Sequence, residues 1–385
     1  MDDYQLWSYS YGIFTVAAVM VALATYSKLK PSVVIPTIPN CPWKNKRFIV
    51  ICNPIGGKQS GRSIVNDIIK PICQKHDVSV DVLFTERFRH ASEMAASLDF
   101  LKYDAILIVS GDGLIHEFLN GLSGGKPLTA KEYLKLVEKL PPIGTIPGGT
   151  SNGTATHLLS SDPLEAMIKL MKGGRRMVDT FHVVSQGPIK DAISNVKNDE
   201  QNEVTSIDVW DVHFFSWAIL AEADQVMERM RWTPKALREP FAAMWLIYQR
   251  RLYTGRIYMT PVKPSAEASA VGGYRDPESL PLVAEGERKG QRLLEGSFLM
   301  VTGASMSDAT FDIRMAPGAR GDDGAIDLLI IRGDATRLQL IQTFLNLDGT
   351  HVKYPWCELY KVSAFTLEPD DGVLNSSGSS VSIHT

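Results

Sequence analysis

A doubly wound α/β domain with a mostly parallel sheet, followed by a second, mostly antiparallel β domain, is the fold class predicted by three features of the sequence. Short apolar runs alternate with helix-period segments between residues 45 and 176. Glycine-rich or small-residue loops follow three of those runs. Beyond about Met177 short β-like runs dominate and helical patterns thin out. The chain has 385 residues, 44% hydrophobic and 22% charged, enough for two domains and incompatible with disorder or a disulfide-stapled miniprotein. Forty basic and 43 acidic residues give a formal charge of -3, so no global field holds nucleic acid. Cys41, Cys52, Cys73 and Cys357 show no CxxC spacing, which disfavours zinc and disulfides and indicates a reducing compartment.

Tyr4 to Ser27 carries no charge, and its centre from Tyr11 to Tyr26 is almost wholly apolar. That length is adequate for a membrane span of about 20 residues. Trp7, Tyr9, Tyr11 and Tyr26 lie toward its ends, where rings favour the headgroup level. Residues 1–30 are therefore expected to form a hydrophobic helix that anchors the chain in a bilayer; a buried or surface helix is the alternative. Lys28, Lys30, Lys44, Lys46 and Arg47 follow it, which keeps the C-terminal part in the cytosol. A cleaved signal peptide is disfavoured because the basic leading region is missing. Four prolines between Pro31 and Pro42 mark residues 31–44 as an extended linker.

Within residues 45–176, Phe48–Cys52, Ala105–Val109 and Ile143–Ile146 read as buried strands, and Val78 to Phe84 alternates as a strand does. Ile64, Val65, Ile68, Ile69 and Ile72 fall at helical spacing, and Leu114–Leu122 forms a second helix. Asp162-Pro163 supplies an N-cap and first residue for a helix to Lys172. Within residues 177–385 the strands expected are Met177–Val184, Ile207–Val212, Ser297–Thr302, Ile326–Ile331 and Lys361–Leu367, with helices at Phe241–Tyr253 and Arg337–Leu347. The polar inserts Ser185–Asn202 and Lys263–Gln291 are expected to be flexible surface loops.

The chemistry concentrates in the loops. Asn53-Pro54-Ile55-Gly56-Gly57-Lys58 lets a backbone approach an anion closely, but has neither the GxxxxGK[ST] nor the GxGxxG spacing. Ser110-Gly111-Asp112-Gly113 places one carboxylate between glycines at the carboxyl end of a buried strand, where open α/β sheets bind ligands. Packing gives no reason for an acid there, whereas bare neighbours leave room for a substrate. Glu117 follows in the first helical turn. The Pro147-Gly148-Gly149-Thr150-Ser151-Asn152 loop adds amides and small polar side chains. Three such loops at one sheet edge indicate a polyphosphate site.

NPIGGK, Thr85-Glu86-Arg87-Phe88-Arg89-His90-Ala91, SGDGLIHE with Asn120-Gly121-Leu122, and PGGTSN together resemble the diacylglycerol-kinase catalytic domain, most narrowly that of sphingosine kinases. Asp322-Asp323-Gly324 with Asp327 and Ala364–Pro369 agree, and the likeness spans about residues 45–372. It implies an α/β nucleotide-binding domain followed by a β-sandwich, with lipid entering between them. The implied activity is ATP-dependent phosphorylation of a primary hydroxyl, that of a sphingoid base, with Mg²⁺ bridging the phosphates. Diacylglycerol or ceramide kinases, or a catalytically weak membrane-anchored lipid or nucleotide sensor, are the alternatives. By resemblance Asn53, Pro54, Ile55, Thr85, Glu86, Arg87, Phe88, Arg89, Glu117, Gly149, Thr150, Ser151, Arg231 and Arg238 meet the nucleotide. Ser110, Gly111, Asp112 and Gly113 line the substrate side, with Asp112 accepting the hydroxyl proton. Glu222 stands where relatives carry an Asp that pairs with the lipid amine. The family's C-terminal Asp-Gly-Glu is absent: Asn375–Ser379 replaces it, which leaves the metal ligands unassigned.

Overall fold

Buried runs build the first sheet. The computed structural model describes residues 35–370, except 58, 187–207, 231 and 234, together with the strand at 380–384. Ile38 to Thr385 forms one compact unit. Strands β1 (Arg47–Cys52), β2 (Ser79–Phe84), β3 (Ala105–Ser110) and β4 (Ile143–Pro147) pair in the order β2-β1-β3-β4, every neighbour parallel. Every residue of β3 is buried, as expected of a parallel strand covered on both faces. The crossovers are helical. A helix runs from Gly61–Ser63 through a π turn at Ile64–Ile69 into Lys70–Lys75 (together α1), followed by α2 (His90–Ser97), α3 (Asp112–Gly121), α4 (Ala130–Val137), α5 (Gly153–Leu158) and α6 (Pro163–Met171). The order in which strands are added reverses between β1 and β3, so the crevice beyond their carboxyl ends is the topological switch point where ligands of such sheets bind. All three small-residue loops open there.

The remaining strands are β5 (Phe181–Gln186), β6 (Asp208–Asp211), β7 (Phe214–Ala218), β8 (Tyr253–Pro261), β9 (Arg292–Ala304), β10 (Ile326–Arg332), β11 (Cys357–Pro369) and β12 (Ser380–His384). They pair antiparallel throughout. The long strands β9 and β11 each pair with β8 along one half and with β10 along the other, which folds the sheet over on itself. Between the layers lies a core of Trp217, Tyr253, Ile257, Phe298, Leu328, Tyr360 and Phe365. Helices α7 (Ile219–Arg229), α8 (Lys235–Gln249) and α10 (Arg337–Leu345) cover the outer side through Leu246, Ile247, Leu299, Leu329 and Leu340, while the short α9 (Ala266–Val271) precedes β9. Lys361, 2% exposed, forms ion pairs with Asp323 and the fully buried Asp327, 2.8 and 2.9 Å away, and Tyr274 donates to Asp327. Burial pushes the Asp327 carboxyl up to about 6, against the pull of the Lys361 ammonium.

The two sheets share a packed seam. Val212 and Met306 insert into the core formed by Ile49, Ile106, Ile115 and Phe118. Asn120 on α3 exchanges hydrogen bonds with the backbone of Trp210, donating to its carbonyl and accepting from its N–H. Trp210 is itself stacked between Tyr133 and His182.

Five expectations need correction. Lys263–Gln291 is no free loop: Ala268 is buried, Tyr274 bonds to Asp327, and Arg275 donates its N–H to the Leu359 carbonyl. Its polar composition hides these anchors. The strand expected from Met177 starts at Phe181. The helix expected at Phe241–Tyr253 runs from Lys235 to Gln249, and Tyr253 already belongs to β8. Helices in the second half are more numerous than the pattern indicated, because α7 and α9 carry polar residues that mask their period. The proline-containing stretch joins the fold from Ile38, since Ile38 and Trp43 are buried. Residues 1–30, most of the insert 185–202, and Asn375–Ser379 lie outside the described residues. Among the described residues no helix is long and apolar enough to cross a membrane.

Candidate active site

Gly149 is where the three loops meet. A Cβ on Gly149 would stand 2.3 Å from the Gly111 Cα, and one on Gly57 would stand 2.6 Å from the Gly149 carbonyl carbon. Side chains at these positions would drive the loops apart, and Gly57 also holds φ at 55°. Asn152, at φ 58°, closes the third loop by accepting from the Gly149 N–H at 2.7 Å and donating to the Gly149 carbonyl at 3.0 Å. Asn53 accepts from the Ile55 N–H at 3.1 Å, shaping the first loop. Thr150 is exposed and Ser151 half-buried, so their hydroxyls stand at the surface of the crevice.

Asp112 opens α3. Its Oδ2 accepts from the Gly153 N–H at 3.0 Å and its Oδ1 from the Thr154 N–H at 2.9 Å, both in the first turn of α5. The carboxylate is thus fixed by backbone donors, yet the side chain stays 22% exposed, and a Cβ on Gly113 would meet only open space. Ser110 is buried behind it, its carbonyl accepting from the Gly148 N–H.

A cavity of about 680 Å³ adjoins the first loop, lined by Pro54, Ile55, Thr85 and Glu86 among others. Arg62, His90 and Met94 also line it and were not anticipated. Arg62 stands over the Phe84 ring at 4.3 Å. One signal was readable: a cation in the first turn of a helix opposes the helix dipole and calls for an anion nearby. Arg87 is ion-paired with Glu93, and Arg89 lies over the exposed Phe88 ring with its own φ at 60°.

Glu117 reaches the backbone N–H groups of Arg89 and Ala91, where α2 has no cap of its own. Burial pushes its carboxyl above the usual range, against those donors. It therefore holds the Thr85–Arg89 segment from behind. Glu117→Ala is expected to cost about 1 kcal/mol of stability, the worth of a helix cap, read as a lowered Tm in thermal unfolding; an unchanged Tm would show that Glu117 does not hold this segment.

His116 bonds to Asp211 across the seam at 2.8 Å. Burial opposes its protonation, but the Asp211 hydrogen bond and charge outweigh that and raise its pKa. Glu222, 25% exposed, begins α7 and pairs with the Arg251 guanidinium at 2.9 Å. Arg238 lies on α8, its Nε enclosed without a hydrogen-bond partner among the described residues. Arg231 lies outside them. No cluster of three or more metal-ligating side chains occurs among the described residues.

The comparisons define the class first. A family model described as "Diacylglycerol kinase catalytic domain" matches residues 47–183. A putative diacylglycerol kinase from Bacillus anthracis str. Sterne shares the fold, with a TM-score of 0.53 over 89% of this chain and 95% of that one at 15% identity. Sphingosine kinase 2 of Arabidopsis thaliana is 30% identical over 362 residues, covering 86% of this chain and 68% of that protein. Sphingosine kinase 1 of Homo sapiens is 24% identical over 343 residues, 85% and 83% of the two chains. The fold and the relatives make this chain a lipid kinase. It belongs to the sphingosine kinase family, within the diacylglycerol-kinase superfamily.

Proposed function

We infer that the protein transfers the γ-phosphoryl group of ATP to the primary hydroxyl of a sphingoid base. The observation that carries this reading is the convergence of three loops on Gly149 beside a backbone-anchored, partly exposed Asp112 at the switch point of the sheet. The adenosine end of ATP occupies the cavity beside Ile55 and Thr85, and its phosphates lie over the loops of Asn53–Gly57 and Gly149–Ser151. Asp112 orients the lipid hydroxyl and takes its proton late, since phosphoryl transfer runs mainly on positioning and charge stabilisation. Mg²⁺ bound with the nucleotide would supply charge neutralisation to the phosphates. Such an ion takes most of its ligands from phosphate and water and needs only one or two protein carboxylates, and no cluster of three or more metal-ligating side chains occurs among the described residues. Arg238 is assigned to the phosphates on the strength of its unpartnered Nε.

Glu222 recognises the amine. In the free protein its partner is the guanidinium of Arg251, a cation that a lipid ammonium replaces without leaving the acid uncompensated. Incubation with γ-labelled ATP, Mg²⁺ and sphingosine is expected to give labelled sphingosine 1-phosphate. Glu222→Ala is expected to raise the KM for sphingosine about 10- to 100-fold, the worth of one hydrogen bond to a charged group. Turnover of diacylglycerol at the same rate as sphingosine would overturn the assignment.

The lipid is presented from a bilayer. Leu237, Phe241, Met244, Trp245 and Tyr248 form an exposed apolar face along α8, with the exposed Trp232 shortly before the helix, while Ala242, Leu246 and Ile247 point into the core. A contiguous exposed face of this kind marks an interaction site, and rings favour the membrane interface. Phe241→Ser with Trp245→Ser is expected to lower turnover of vesicle-borne sphingosine about a hundredfold or more and to spare turnover of detergent-dispersed substrate, as each ring contributes roughly 1.5–3 kcal/mol when buried. Equal loss in both assays would assign the face to folding instead. Apart from any span in residues 1–30, this face accounts for peripheral association at the cytosolic side.

A further inference from the structure

His213 stands next to Asp112 without having been singled out by any motif. It occupies the turn between β6 and β7, and its ring crosses the seam. Its Nδ1 lies 4.0 Å from the Asp112 Oδ2, and its side chain is only 10% exposed. Its Nε2 lies 2.8 Å from the main-chain carbonyl of Asp308. A carbonyl only accepts, so the proton is assigned to Nε2 and Nδ1 is left as the nitrogen facing the carboxylate. The chain makes room for this arrangement: a Cβ on Gly153 would fall 2.3 Å from the His213 Cε1 and Nε2. The same Gly153 donates its N–H to Asp112.

We propose that His213 is a positioning residue for the reaction, acting through Asp112 as the acceptor of the proton that Asp112 removes from the lipid. The proposal rests on Asp112 serving as the base. As the lipid oxygen bonds to the γ-phosphorus, the bond from that phosphorus to the β–γ bridging oxygen breaks and ADP leaves. The hydroxyl proton passes to the Asp112 carboxylate and from there to Nδ1, giving an imidazolium beside a restored carboxylate; solvent takes that proton before the next turnover. The 4.0 Å gap exceeds a hydrogen bond, so the ring or the carboxylate closes by about 1 Å for the second transfer.

The groups around His213 suit that role. Asp211 accepts the His213 backbone N–H at 3.2 Å while its other oxygen is bonded to His116. The Asp308 carboxylate is engaged by His157 and Arg314, so only its carbonyl faces the ring. The Phe214 ring packs against the imidazole at 4.2 Å. Asp112 is thus the acidic side chain that Nδ1 approaches among the described residues.

The test is the pH dependence of kcat from pH 5.5 to 9 for the wild type, His213→Gln, His213→Ala and Asp112→Asn, with ATP binding followed by nucleotide-dependent thermal shift. Both His213 variants are expected to bind ATP as the wild type does, to lose kcat about tenfold or more at neutral pH, and to lack the acid-side limb of the wild-type profile. Free imidazole is expected to restore part of the rate of His213→Ala and none of that of Asp112→Asn. If Asp112→Asn is inactive while both His213 variants keep the wild-type profile, the proton transfer to His213 is wrong and the base assignment stands. If Asp112→Asn turns over normally, both fall.

Discussion

Asp112→Asn is expected to lower kcat by about 10³-fold or more while leaving the affinity for ATP within about twofold of the wild type. The substitution is nearly isosteric, and the side-chain oxygen still accepts from one of the two N–H groups, Gly153 or Thr154, that now hold the carboxylate. The amide cannot take the hydroxyl proton, and loss of a positioned base costs about 10²–10⁴ in rate. Its NH₂ group also faces one of the two backbone donors, so a modest loss of thermal stability is expected alongside. Rates from single-turnover experiments with saturating ATP, compared with equilibrium binding of ATP, separate the chemical loss from the binding loss. Parallel losses in both would show that Asp112 serves mainly to shape the phosphate loops.

Gly149→Ala is expected to be the most damaging small substitution within the three loops. The added methyl would sit 2.3 Å from the Gly111 Cα and 2.4 Å from the Gly111 nitrogen. Both are main-chain atoms, so no flexible side chain can yield, and the second and third loops must separate. A clash of this kind belongs with the overpacking and backbone-strain mechanisms that produce the large losses among point mutants, about 2 kcal/mol or more. Because Gly57 packs on the same residue, the first loop moves too, and ATP affinity is expected to fall at least tenfold. The contrast is Gly113→Ala, where the new methyl meets open space. Its effect on stability is expected to be slight and its effect on lipid KM larger. Thermal unfolding and ATP titration of the two variants side by side check the difference; similar behaviour would mean that the loops tolerate separation.

Much of this site was legible because its constraints are local. Glycines at 57 and 149 are demanded by backbone contact, and the flanking strands announce themselves as buried apolar runs at Phe48–Cys52 and Ala105–Val109. An acid between two glycines needs no partner information to stand out. What was not legible depends on distant chain. His213 comes 101 positions after Asp112, and nothing in its neighbours foretells that its ring lies against Gly153. Glu117 reads as a ligand contact from its place after the glycine loop, whereas its carboxylate bonds to the backbone of Arg89 and Ala91. Arg62 lines the cavity from a helix whose apolar period drew attention only to its buried face.

The second half of the fold was read less completely for a related reason. The strand at Arg292–Ala304 is 13 residues long, but only its buried second half, from Phe298 on, has a clear apolar run. Glu295 and Gly296 interrupt the pattern where β9 turns to pair with β8 instead of β10. The helix at Ala130–Val137 begins with a reciprocal cap between Thr129 and Glu132, a T-x-x-E signature present in the sequence. Tyr274 pins the 263–291 segment through an aspartate 53 residues away, a tie that no compositional reading reveals.

A structure of the full chain with a non-hydrolysable ATP analogue and sphingosine would measure the separation on which the whole account turns. The distance from an Asp112 carboxylate oxygen to the lipid's primary hydroxyl is predicted to be about 2.6–3.2 Å, with the terminal phosphate against the Gly149 loop. A lipid hydroxyl bound out of reach of Asp112, or a triphosphate seated away from Gly57 and Gly149, would contradict it.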